Sequence, residues 1–119
     1  MTTLRTLHTL ATLCLVLAVA GCKSSPQPKP LNQLTAAEQS GHSVFAAQCS
    51  LCHYDRQDAA LHGPSLIGLY KKPYLPSGAP ANDDRIANTI LHGRGNMPAL
   101  GGAITPHELD DLLSYLKTL

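Results

Sequence analysis

The segment Cys49-Ser50-Leu51-Cys52-His53 has the spacing C-x-x-C-H, which serves covalent attachment of c-type haem. The spacing has a mechanical reason. Two thiols three residues apart near a helix turn reach the two vinyl groups on one side of a porphyrin, and the next residue projects its imidazole to the iron. One short segment thereby fixes both ring and ligand. A thioredoxin-like redox pair shares the C-x-x-C portion but wants a strand before it and a βαβ surround. Neither is visible around Cys49.

The remaining cysteines support this reading. Of the four in the chain, Cys14 lies inside an N-terminal apolar run and Cys22 at its end, so Cys49 and Cys52 are the pair left in the folded part. Two cysteines cannot build a four-thiolate zinc site. A disulfide across two intervening residues closes a very small loop and gains little entropy.

With 119 residues the chain has room for one core-forming domain. A formal charge of +1 and 14% charged residues, with no Lys/Arg block, argue against binding a phosphate backbone, so no nucleic-acid partner is expected. With no Trp and one Phe, the usual large core-fillers are scarce. Something other than side chains is expected to fill the middle.

Residues 1–21 read as a signal peptide. The run from Leu10 to Ala20, LATLCLVLAVA, follows Arg5 and His8, and about a dozen apolar residues suit an export signal better than a membrane span. It ends in Val19-Ala20-Gly21-Cys22, which resembles the lipobox of bacterial lipoproteins, although Val19 departs from the preferred Leu. That resemblance implies cleavage before Cys22 and its lipidation. The alternative is ordinary cleavage after Ala20, leaving Cys22 an unpaired thiol in an oxidising compartment. Residues 22–34 then form a tether: Pro26, Pro28 and Pro30 alternate in a Ser- and Lys-containing stretch. In polyproline II form, residues 23–33 would span roughly 30 Å and hold the domain off the bilayer.

The domain proper is expected over 35–119 and is all-α. Thr35-Ala36-Ala37-Glu38 is a capping box that opens a first helix, with Gly41, Val44, Phe45 and Gln48 at helical spacing before Cys49. Thr105-Pro106-His107-Glu108 is a second capping box with Pro at the first helical position. Leu109, Leu112, Leu113 and Leu116 follow on one face, Tyr115 and Leu119 extend the buried edge, and Asp110, Asp111, Ser114 and Lys117 are expected on the polar side. A shorter helix starts at Asn82 or Asp83, turns Ile86, Ala87 and Ile90 inward and stops at Gly93. Residues 63–81 are expected to be irregular loop with one turn of helix, and no strand is expected.

From Leu34 to Leu119 the chain resembles the single-haem class I cytochromes c. Gly41 and Phe45 precede the haem motif at the family's offsets. Gly63-Pro64-Ser65-Leu66 looks like its G-P-x-L segment, Asn96-Met97-Pro98 like its M-P segment, and Tyr115-Leu116 like its Y-L helix end. The resemblance implies a cytochrome c-like fold, first and last helices crossing near Gly41, and one heme c on Cys49 and Cys52. It also implies Met97 opposite His53 on the iron, and electron transfer without substrate turnover. Residue chemistry agrees: a thioether favours the ferrous state, and Met97 lies in a Gly/Pro segment that cannot continue a helix. Packing is the alternative role for Met97, and His42, His62, His92 and His107 are the competing ligands. Pro64 is expected beside His53, its own carbonyl or its predecessor's accepting the imidazole N–H. Tyr70, Tyr74 and Arg94 are candidate neighbours of the haem propionates. Lys71-Lys72 is either a docking patch or a solvated loop.

The function expected is a single-electron carrier, not an enzyme, with redox proteins of the membrane as partners and no small-molecule substrate. It is expected to be exported and lipid-anchored to a bacterial membrane, facing the periplasm or cell exterior. A fixed cytochrome subunit of a dehydrogenase or oxidase uses the same haem. A gas or ligand binder requires Met97 off the iron, and a peroxidase of this type wants a second attachment motif. Replacing Cys22→Ala is expected to move the mature protein from the membrane pellet to the soluble fraction, because residues 23–119 contain no other apolar run long enough to anchor it. Undiminished pelleting of the variant would place the anchor elsewhere.

Overall fold

The computed structural model describes residues 25–119; the expected signal peptide, Cys14 and Cys22 lie outside the described residues. Three α-helices carry the fold: α1 (Ala36–Gln48), α2 (Asp83–His92) and α3 (Pro106–Leu116). Two short 3₁₀ turns, Leu31–Gln33 and Leu69–Lys71, punctuate the rest. Among the described residues there is no strand, only isolated bridges at His53–Ala60, Tyr74–Pro80 and Arg94–Met97. The all-α expectation is borne out.

Each helix starts where its polar cap dictates. Thr35 Oγ1 accepts from the Glu38 amide at 3.3 Å while Glu38 Oε2 accepts from the Thr35 amide at 2.7 Å. Thr105 and Glu108 repeat the exchange at α3, with Pro106 in the first turn. At α2 the Asn82 side chain accepts from the Arg85 amide at 3.0 Å. The helix ends at Gly93, whose φ of 72° lies in the region that favours glycine.

Helix α1 crosses α3 where Gly41 meets it. A Cβ at Gly41 would collide with the backbone carbonyl of Asp111 and lie 2.8 Å from Tyr115 Cβ, so glycine is the residue that lets the two backbones approach. Phe45, Leu112, Tyr115 and Leu116 are buried around this crossing. Two expected assignments change. Gln48 is exposed, so the α1 stripe ends at Phe45. Asp111, expected on the polar face of α3, is buried at 7% exposure, because its turn of helix lies directly under Gly41.

The expected free tether also differs. Residues 25–34 lie against the domain: the Lys29 amide donates to the Thr118 carbonyl at 2.8 Å, Arg56 Nη2 donates to the Lys29 carbonyl at 2.9 Å, and Leu34 is buried in the core. An extended segment with alternating prolines has backbone groups left over, and these are satisfied by the domain surface instead of water. No helix among the described residues is long and apolar enough to cross a membrane.

Gly41→Ala tests the crossing. Alanine gains about 1 kcal/mol of helix propensity, but here its methyl meets backbone that cannot rotate away, and overpacking of about 1–3 kcal/mol is expected to dominate. The urea midpoint should fall with an unchanged m-value. Gly102→Ala, with nothing within 4 Å of its added methyl, should stay within about 0.5 kcal/mol of wild type.

Candidate functional site

Helix α1 ends at Gln48 and hands its last turn to the motif. The Cys49 amide still donates to the Phe45 carbonyl at 2.8 Å, and the Cys52 and His53 amides both return to the Cys49 carbonyl at 3.0 Å. Cys49, Cys52 and His53 therefore sit on a tight turn continuing the helix. Cys49 and Cys52 are both unpaired and half-buried. Burial first, and the neighbouring Cys52 second, push the Cys49 thiol up to about 11, which keeps it a neutral thiol near pH 7.

His53 is oriented from the loop that follows. Its Nδ1 lies 3.0 Å from the Pro64 carbonyl, so the imidazole donates there and leaves Nε2 as its acceptor nitrogen. The carbonyl involved is Pro64's own and not that of Gly63. Gly63 serves otherwise: a Cβ there would overlap the His53 ring, within 2.6 Å of Nδ1 and 2.7 Å of Nε2. The loop is carried to this place by the Cys52 carbonyl, which accepts from the His62 and Gly63 amides at 3.2 and 2.7 Å.

Met97 is presented by a different device. The Arg94 and Met97 backbones exchange two hydrogen bonds of 3.0 Å each, closing a turn that contains Gly95 at φ 57°. A Cβ at Gly93 would meet the Met97 carbonyl and lie 2.8 Å from the Ala99 amide, so the end of α2 presses directly on the methionine loop.

These elements enclose one apolar cavity of about 350 Å³. Cys49, His53 and Met97 border it, with Pro64 beside the histidine and Phe45 and Leu112 from the helix crossing behind. Of the side chains lining it, only Arg94 carries a permanent charge, and Ser77 and Thr89 supply the hydroxyls. The competing histidines do not line it: His42 stacks toward Tyr115 at 4.9 Å between centroids, and His62, His92 and His107 are exposed. Tyr70 and Tyr74 are also outside the lining, whereas Arg94 is in it. Cys52 sits next to the lining rather than within it.

One positioning residue was not singled out by the sequence. Asp55 accepts from the Tyr115 hydroxyl at 2.5 Å and lies 3.6 Å from His42 Nε2, tying the chain just after the motif to both crossing helices. Burial, then the bond to Asp55, push the Tyr115 phenol well above its ordinary range, so it remains a donor. A lone Asp two residues past His53 carries no sequence signal for this; only the crossing brings Tyr115 to it.

The site fits haem. A thiol, an imidazole with one committed nitrogen and a thioether face a single apolar space, and the missing Cβ at Gly63 is the room the imidazole takes. Comparison with known proteins points the same way. Residues 36–116 match the family model described as cytochrome C oxidase, cbb3-type, subunit III. The chain is 29% identical over 79 residues to cytochrome c6 of Picosynechococcus sp., covering 64% of this chain and 68% of that protein. It is 29% identical over 76 residues to cytochrome c6 of Pyropia tenera, covering 64% and 85%. With cytochrome c6 of Gracilaria tenuistipitata var. liui the identity is 28% over 86 residues, covering 71% and 76%.

Gly63→Ala is expected to displace the His53 ring and break its bond to Pro64, because the added methyl falls on the imidazole itself. The measurement is the hydrogen-bonded Nδ1 proton resonance of His53, which should disappear. Its persistence at the wild-type shift would mean the ring tolerates the methyl.

Proposed function

Since the chain belongs to the cytochrome c family and is a haem-based electron carrier with heme c and its iron as cofactor, we propose that it passes single electrons between respiratory proteins from a lipid anchor at Cys22. In this reading Cys49 and Cys52 would hold the haem through thioethers, and His53 and Met97 would bind its iron. The bound haem supplies a one-electron couple between ferric and ferrous iron.

The observation that carries this reading is the convergence of His53 and Met97 on one apolar cavity from separate loops. Pro64 accepts the Nδ1 proton of His53 and so fixes the ring and leaves Nε2 free to ligate. The Arg94–Met97 turn holds the thioether without help from a helix. The lining is mainly apolar, with Phe45, Leu66, Leu69, Ile86, Ile90 and Leu112 among it, and no carboxylate faces the space. These features suit transfer of an electron and not turnover of a substrate. Membrane redox proteins are the proposed partners, and the periplasm or cell exterior the proposed compartment.

A second reading has its own support. The matching family model is described as a subunit of a cytochrome c oxidase, and that description favours, as the second reading, a fixed subunit handing electrons to a terminal oxidase.

Met97→Ala tests the ligand assignment. The ferric wild type is expected to show the weak long-wavelength band of sulfur-to-iron charge transfer, and the variant to lose it, bind carbon monoxide readily and show a lower reduction potential. A wild type without the band that binds carbon monoxide rapidly would take Met97 off the iron and favour a ligand binder.

A further inference from the structure

The docked N-terminal segment changes what the anchor does. Lys29 is held at three points: its amide by the Thr118 carbonyl at 2.8 Å, its carbonyl by Arg56 Nη2 at 2.9 Å, and its ammonium by Glu38 at 2.7 Å. Upstream, the Ser25 hydroxyl donates to Asp58 Oδ2 at 2.7 Å, and Ser65 donates to the other oxygen of that carboxylate at 2.8 Å. Pro26 lies over Gly68, where an added Cβ would come within 3.0 Å of its ring. The contacts to the domain fall at Ser25, Pro26, Lys29 and the buried Leu34, and between the last two the chain is held by its own short 3₁₀ turn.

Only Lys23 and Ser24 separate Ser25 from Cys22. Three residue steps extend at most about 11 Å, against roughly 30 Å for the same linker released as polyproline II. We propose that residues 25–34 are a strap that seats the domain directly on phospholipid headgroups, with the edge formed by Ser25, Asp58, Gly68 and Lys72 toward the lipid. The proposal rests on Cys22 as the lipid anchor.

That edge carries both signs. Hydrogen bonds from Ser25 and Ser65, with the field of Lys72, hold the Asp58 carboxyl below its usual range and keep it an anion, opposed at the surface by Lys72. Lys72 is itself exposed, and Lys23 lies next to the anchor in sequence. Lysines near an anionic leaflet are attracted to it. A seated domain keeps one orientation, so the surface it offers to partners is selected by the strap and does not swing.

The test uses the acylated, haem-loaded full protein in phosphatidylethanolamine and phosphatidylglycerol vesicles carrying a headgroup fluorophore, whose emission the haem quenches according to distance. The second protein carries about ten Gly/Ser residues inserted between Ser24 and Ser25, which lets a docked domain move from within about 11 Å to roughly 20 Å from its anchor. Quenching is expected to fall about two-fold or more. A tether that was already free would go only from roughly 30 to about 35 Å, and quenching that hardly changes would overturn the proposal. Hydrogen exchange at the Lys29 amide of the same wild-type protein separates the causes. Protection is expected from its bond to Thr118, and free-chain exchange in an acylated protein would overturn the strap alone. An intact mass without acyl groups would overturn the anchor and, with it, the seating.

Discussion

The close approach of two backbones at Gly41 is the constraint from which the rest of the structure is built. Because no side chain intervenes between α1 and the Asp111 carbonyl of α3, the two helices cross tightly, and Phe45, one turn further along α1, is pressed against Tyr115 with ring centroids 5.9 Å apart. That contact aims the C-terminal end of α1, and the motif begins at its cap. The position of the Cys49 thiol and the His53 ring thus depends on a glycine about three helical turns upstream of the histidine. The Tyr115–Asp55 bond closes the arrangement from the other side.

Half of the core also faces the cavity. Of the twelve buried hydrophobic residues among those described, Phe45, Leu69, Ile86, Ile90, Leu112 and Leu116 line the cavity as well as packing together. A chain with one Phe and no Trp cannot fill this volume itself, and an unfilled cavity forfeits dispersion contacts along its whole lining. A covalently held, largely apolar ring restores them. Folding and cofactor attachment are therefore linked: the group that carries the electron also completes the core.

How much of this was legible depended on whether the signal was local. The capping boxes at Thr35 and Thr105 were readable because a cap is a contact between residues three apart, and both are formed. The cysteine-histidine motif and the Gly/Pro setting of Met97 were readable for the same reason. Three features were not. Asp111 looks polar and solvated by periodicity, yet is buried because a glycine on another helix comes down on it. Gly63 is legible in sequence as the start of a G-P-x-L segment, but its role in leaving space for a ring ten positions earlier is not. The Pro-rich stretch before α1 has the composition of a free linker, but composition cannot reveal that Thr118, Arg56 and Glu38 converge on Lys29.

The polarity of the cavity has a consequence for the direction in which it tunes the iron. A lining with one charged side chain, Arg94, and two hydroxyls stabilises extra positive charge poorly, and the oxidised site carries one more positive charge than the reduced one. In the proposed ligation a thioether from Met97, as a soft ligand, would favour the same ferrous state. Arg94 adds a cation at the cavity wall, which again disfavours oxidation by simple repulsion. The bond from Pro64 opposes these by making the His53 imidazole a stronger donor, but it is one neutral hydrogen bond against a desolvated charge and a fixed cation. Charge terms in a low-dielectric space outweigh a single neutral hydrogen bond, so with the proposed ligation these terms together would raise the reduction potential.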